Sequence, residues 1–246
     1  MAQAKTAKKP VARPVKPQTP SWNFVRPSLQ LWRAHVEIIV VLILLPAVLL
    51  DLGETLLRST VKPGSNSLAI YSHLSFASPG SILILIGFLW TLINAPAMYY
   101  FLIQTVKGKS RTIKQCYQYG LKRFWRLLGL RILVDIIIVI GFILLIVPGV
   151  IMLRRYYLAE YYLIDQDLSI KEAMQKSAEQ SKPVSGYVYG VIGVSIVFGL
   201  IAGLVSGIIP LVGTIIGLLI GYIYLFGAAL RYVEVSSGKK SPAIKD

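Results

Sequence analysis

Four charged residues stand inside apolar stretches, where a charge needs a reason: Asp135, Arg154, Arg155 and Glu160. If those stretches cross a bilayer, each charge costs about 2.5–3.5 kcal/mol on insertion scales. It must then be paired, solvated, neutralised or long enough to snorkel to the surface. Two carboxylates that approach each other raise one pKa, which is the chemistry of a proton or cation site. A carboxylate beside an arginine makes a structural ion pair instead. The corner Val147-Pro148-Gly149 joins the two stretches that carry these groups. Antiparallel pairing about Pro148 sets Asp135 level with Tyr161, next to Glu160. The same register sets Arg131 level with Asp165, as an interfacial ion pair. Arg131 also has Asp135 one turn on.

Arg154 and Arg155 lie roughly 9 Å from the outer end of their helix. Side chains lean toward the helix N-terminus, so both arginines can snorkel outward. Glu160 leans the same way, into the membrane. It therefore pairs with an arginine or shares a proton or cation with Asp135; the residues leave both readings open. Tyr156, Tyr157, Tyr161 and Tyr162 surround Glu160, as an aromatic belt or as the hydrogen-bonding wall of a polar cavity. Asn94-Ala95-Pro96 marks either a kink or a broken helix that lines a site.

Other chemistry lacks its residues. There is no His-Glu-x-x-His, no Gly-x-Ser-x-Gly and no phosphate-cradling glycine loop. His35 and His73 are the only histidines and Cys116 the only cysteine. A histidine-rich metal site, a cysteine cluster and an internal disulfide are excluded. The expectation is a protein without catalytic residues, metal or cofactor.

The elements that must position the charges are helices in lipid. The chain has 246 residues, 55% of them hydrophobic. Its mean hydropathy is +0.64. Soluble domains are about 45–50% apolar, so an integral membrane protein is expected. Six apolar spans follow one another, at about 35–52, 81–103, 124–147, 149–164, 186–208 and 211–232. Five are near the roughly 20 residues that a crossing needs; the fourth is short and carries charge, so it either spans or lies on the surface, and the charge of the flanking loops favours a span. Pro46 should kink the first.

The net charge of +15 is segregated around these spans. Seven basic residues precede His35 and eight lie from Lys107 to Arg131, both blocks without an acid. Basic blocks that flank spans stay on the cytoplasmic side and attract anionic lipid heads. Nucleic acid is not the expected partner. The bilayer is, and a membrane or soluble protein partner would meet the same basic face. Both termini should be cytoplasmic. Residues 1–27 read as a disordered basic tail, 28–235 as the six-helix domain and 236–246 as a second tail.

Two segments repeat a pattern. Thr112-Ile113-Lys114-Gln115 and Ser169-Ile170-Lys171-Glu172 both fit a capping box. Ile113, Cys116, Tyr117 and Leu121 then recur at helical spacing, as do Ile170, Ala173, Met174 and Ser177. Each predicts a short amphipathic helix in the cytoplasmic interface, ahead of a hairpin that turns at a proline. Ser28, Leu29 and Trp32 look like a third copy. In the last hairpin, Gly199, Gly203 and Gly207 mirror Gly213, Gly217 and Gly221 about Pro210. Facing glycines let helix backbones approach closely in lipid, so these six are expected to zip the last pair.

The run Ile146-Val147-Pro148-Gly149-Val150, Arg155-Tyr156, Leu163-Ile164-Asp165, Leu168-Ser169, Glu172-Ala173 and Ser177 resembles a known pattern. It is similar to a large, poorly characterised family of prokaryotic six-helix membrane proteins. That family includes the YciC-like proteins and the membrane domain fused to some glycerophosphodiester phosphodiesterases. The resemblance implies a prokaryotic cytoplasmic-membrane location and no catalytic residue; the soluble phosphodiesterase unit has no counterpart here. The fold expected is all-α, six transmembrane helices in three hairpins, with short interfacial helices. Two functions follow: a non-enzymatic module that scaffolds or assists membrane-lipid or envelope processes, or a small-solute or ion transporter using Asp135, Glu160 and Asn94.

Overall fold

The computed structural model describes residues 35–59, 78–208 and 210–237. The expected basic tail, the third copy at Ser28–Trp32 and residues 238–246 lie outside the described residues. Every described element is helical. In chain order they are α1 (Val36–Ile39), a π-helical turn (Val40–Leu44), α2 (Leu45–Ser59) and α3 (Pro79–Val106). Then come α4 (Ile113–Leu121), α5 (Phe124–Leu144), α6 (Ile146–Tyr156) and α7 (Ala159–Gln166). The chain ends with α8 (Ile170–Gln180), α9 (Ser185–Ile208) and α10 (Pro210–Ser237).

Among the described residues, two helices are long and apolar enough to cross a membrane, α3 with a mean hydropathy of 1.9 and α5 with 2.7. The α1–α2 pair, bent by 42°, is a third if taken as one span. The bend has a local cause. Pro46 has no N–H, so the carbonyl of Leu42 loses its intrahelical donor. The helix widens to a π turn there, and the Asn94 amide of α3 donates to Leu42 O at 3.4 Å. α3 itself runs unbroken through Pro96. Asn94 thus serves a kink in the neighbouring helix rather than a break in its own.

Chain neighbours make the most extensive contacts: α2 with α3, α9 with α10 and α5 with α6. Glycine sets the first of these. A Cβ on Gly53 would stand 2.8 Å from Gly80 O, and one on Gly80 would stand 2.8 Å from Gly53 O. Gly87 lies as tightly against Leu50. Gly120 of α4 lies on the α3 backbone, its missing Cβ 2.7 Å from Ala97 N. Four of the six glycines expected to zip α9 to α10 are described, and none of these four makes a close contact at its Cβ position. At Gly199, Gly203, Gly217 and Gly221 an added Cβ meets nothing within 4 Å, and all four are exposed. Those glycines are turned away from the seam between the two helices. The surroundings of Gly207 and Gly213 are outside the described set.

The fourth apolar segment departs from one continuous span. It is two helices, α6 and α7, of 11 and 8 residues, separated at Tyr157-Leu158. Ser177 of α8 holds the break: its Oγ donates to Arg155 O at 2.8 Å and accepts from Leu158 N at 3.1 Å. Both capping boxes form as expected, Thr112 with Gln115 and Ser169 with Glu172. Behind them Cys116, Ala173 and Ser177 are fully buried. Leu121, expected on the same apolar face, is exposed; Gly120 fills the contact with α3 instead.

The core sits at one end. It joins the C-terminal half of α3, the N-terminal half of α5, all of α7 and the C-terminal part of α10. The far ends carry bare apolar side chains, with Ile143 77% and Leu204 74% exposed. Such a surface would drive association in water but costs nothing against hydrocarbon.

The packing contrast between the two glycine sets is measurable. Gly53→Ala places a methyl against backbone, so about 1–3 kcal/mol should be lost. Gly203→Leu and Gly217→Leu should stay within about 0.5 kcal/mol of the parent. Thermal unfolding of the full chain in detergent reads both; an equal loss in the two sets would refute the assignment.

Candidate functional site

The structure distributes the candidate residues over three places. The first is the turn after α7. Residue Asp167 ends that helix in the left-handed region at φ 53°. Aspartate tolerates this conformation better than most residues. The last carbonyls of a helix lack intrahelical donors, and Tyr119 of α4 supplies one, donating to Ile164 O at 3.0 Å. Asp165 accepts from Lys107 Nζ at 2.6 Å and from the Tyr232 hydroxyl at 2.5 Å. Gln166 accepts from Lys176 Nζ at 2.5 Å and donates to Tyr232 at 3.3 Å. Asp167 Oδ1 accepts from Arg123 Nε at 3.0 Å and Arg126 Nη2 at 2.7 Å. Four consecutive residues, Ile164, Asp165, Gln166 and Asp167, thus meet groups from α3, α4, α5, α8 and α10 or their caps.

This corrects the expected Arg131–Asp165 pair. Asp165 has Lys107, and Arg131 has Glu160, with Nε 3.9 Å from Oε1. The level-by-level register about Pro148 assumed one straight return helix. The break at Tyr157-Leu158 removes that assumption and moves Glu160, rather than Asp165, opposite Arg131.

The second place is this Arg131–Glu160 contact. Tyr99 of α3 lies beside the Glu160 carboxylate. Its ring meets that of Tyr161 edge-on, centroids 5.1 Å apart. Tyr161 donates to Leu225 O at 2.8 Å, tying α7 to α10. Of the four tyrosines near Glu160, Tyr161 and Tyr162 are core residues. Arg154 and Arg155 do not reach Glu160. Arg155 is exposed, its guanidinium 5.9 Å from the Tyr156 ring. Arg154 Nε is buried with no hydrogen-bond partner among the described residues. Asp135 is exposed on α5 and makes no ion pair among them.

Asn94 belongs to the third place, away from both carboxylates. Its Oδ1 accepts a short hydrogen bond from Tyr117 of α4. Beside it, an open apolar hollow of about 380 Å³ is lined by Ile86, Leu89, Trp90, Ile93 and Tyr117. Nearby, burial pushes the Cys116 thiol up to about 11, so it is an inert, neutral side chain.

Several of these residues gave no signal in the sequence. Lys107, Arg123 and Arg126 read as one basic block, with no sign of which carboxylate each meets. Arg231 read as a charge at the cytoplasmic end of the last span, yet it is buried against Glu234 at 2.8 Å. Its guanidinium also lies 4.1 Å over the Tyr187 ring. Asp165 and Ser177 did carry a signal, as parts of the quoted family pattern.

Burial pushes the Asp167 carboxyl up, but Arg123 and Arg126 together outweigh it and hold it below the usual range. Its charged form therefore favours the fold. That contribution is complete above the unfolded value of about 3.9 and is lost as pH falls through the lower folded value. Asp167→Asn keeps the left-handed turn and removes the charge. Its thermal midpoint should fall less than the parent's between pH 5 and pH 3 (window set by about 3.9 in the unfolded chain). Asp165→Ala, which strands Lys107, should cost about 1.5–3 kcal/mol at pH 7. Identical acid profiles for parent and Asp167→Asn would refute the clasp.

No protein-family model, no curated protein and no solved structure matches this chain.

Proposed function

We propose that this chain is a non-enzymatic integral membrane module of six spans that assists membrane-lipid or envelope processes. In this reading both termini are cytoplasmic and the membrane is a prokaryotic inner membrane, as the resemblance in the sequence implies. α9 and α10, of 24 and 28 residues, supply the last two spans. α6 and α7 together rise roughly 28 Å, enough for one broken crossing of a core about 30 Å thick. The observation that carries the reading is the docking of α4 and α8. Two capped amphipathic helices are pinned to the packed end of the bundle, where the basic residues also gather. Lys109, Lys114 and Lys122 are exposed there and have no ion pair among the described residues. They face the anionic lipid head groups of the cytoplasmic leaflet.

The transporter reading draws less support. Asn94 is committed to Leu42 and Tyr117, and Glu160 to Tyr99 and Arg131. A carrier needs such groups free to exchange partners with a solute.

Basic residues at a membrane surface contribute about 1 kcal/mol each. The triple variant Lys109→Gln, Lys114→Gln, Lys122→Gln should lose roughly 10- to 100-fold of the preference for phosphatidylglycerol over phosphatidylcholine. Native mass spectrometry of the full chain in mixed micelles reads the retained lipid. An unchanged preference would count against the module. In proteoliposomes, Glu160→Gln should leave proton flux at the parent's level; abolished flux in a folded variant would favour the carrier.

A further inference from the structure

α5 is the most apolar of the candidate spans, yet only 17% of its most apolar stretch is buried. Its free surface is not uniformly apolar. Arg131, Asp135 and Val139 are all exposed and fall within one sector of about 80° on a helix of 3.6 residues per turn. Leu133 and Ile140 are exposed too, but lie roughly opposite that sector. The helix therefore has a charged edge and an apolar edge.

Hydrocarbon suits the apolar edge and does not suit the charged one. Asp135 stands near the middle of α5, close enough to Arg131 and Glu160 to interact with them electrostatically, but it closes no ion pair within 4 Å among the described residues. Something must cover it. The cover is named by what flanks it. Arg131, one turn away, touches Glu160 through Nε while its side chain is still 43% exposed. A guanidinium has five donors in a fixed fork, so the Nη groups remain to serve a second acceptor. A two-fold axis beside this edge brings an identical edge against it, with donors and acceptors matched in both directions.

We propose that two copies of this chain associate in the membrane through the charged edge of α5, with Arg131 of each copy serving Asp135 of the other. This rests on the reading of α5 as a membrane span. The edge is a self-complementary patch. Small side chains are not what drives the contact; a hydrogen-bonded charge that lipid cannot satisfy is.

The full chain is reconstituted in phosphatidylcholine–phosphatidylglycerol vesicles, and integration is scored by resistance to alkaline extraction. Subunits are then counted by single-molecule photobleaching at matched dilution. The parent is expected to bleach in two steps. Asp135→Asn and Asp135→Leu are expected to lower association at least ten-fold. Oxidative cross-linking gives a second readout that keeps every charge. Val139→Cys should link copies, while Leu133→Cys and Ile140→Cys should not; fully buried Cys116 stays silent. A chain that resists extraction but bleaches in one step overturns the pairing and leaves the span intact. Stronger association in Asp135→Leu, or equal cross-linking at Val139 and Ile140, shows a merely apolar contact and also overturns it. A chain removed by alkali overturns both the span and the pairing.

Discussion

Where α7 ends, Ile164, Asp165, Gln166 and Asp167 form a turn that meets groups from α3, α4, α5, α8 and α10 or their caps. Six side chains reach it: Lys107, Tyr119, Arg123, Arg126, Lys176 and Tyr232. None of these bonds is strong alone. Asp167 is half exposed, and water screens a pair at such a site. What the turn contributes is coincidence. Lys107, Tyr119, Arg123, Lys176 and Tyr232 reach within hydrogen-bond distance of one short stretch only if their helices arrive together. The left-handed Asp167 stops α7 at this point. The hydrophobic core lies next to this turn and thins away from it, as expected if packing follows from that junction.

Backbone groups impose the second constraint. A carbonyl or amide left unpaired in hydrocarbon costs several kcal/mol. This chain interrupts its helices at two places and repairs each from a different helix. Pro46 frees Leu42 O, and Asn94 takes it. The chain breaks at Tyr157-Leu158, and Ser177 bridges the gap with one hydroxyl used as donor and acceptor. Repair by a neighbour makes each break a fixed joint. It also couples α1 to α3, and α8 to the joint between α6 and α7. A polar residue on a buried face thereby becomes structural rather than free for chemistry.

Much of this was legible in the residues and some was not. Local signals were read well: the capping boxes at Thr112 and Ser169, the kink at Pro46, and helices throughout. Their physics is confined to four or five residues. Pairings between distant residues were read poorly. The register about Pro148 gave Arg131 to Asp165, because a straight return helix was assumed and the break is set by Ser177, twenty residues away. The glycine rule was sound and its place was wrong. Spacing reveals which glycines share a face but not which way that face turns. Gly199 and Gly217 share theirs with open space, whereas Gly53 and Gly80, which show no repeat, meet backbone to backbone. Arg231 and Glu234 were invisible for a related reason: a charge near a chain end looks solvated until the fold buries it.

The two carboxylates that looked like partners have different surroundings, and helix geometry says why. Four residues along a helix advance 400°, so Asp135 sits about 40° further round α5 than Arg131. Arg131 lies at the margin between the packed and free faces, and its long side chain reaches inward to Glu160. Asp135 is short and on the free side of that margin. It cannot follow Arg131 into the bundle. Glu160 lies inside, beside Tyr99 and 3.9 Å from Arg131 Nε. A single arginine on the margin thus divides the charged cluster into an inner pair that holds α7 to α5 and an outer carboxylate that faces whatever lies beside the helix. Moving Arg131 by one position in either direction would swing it by 100° and dissolve that division.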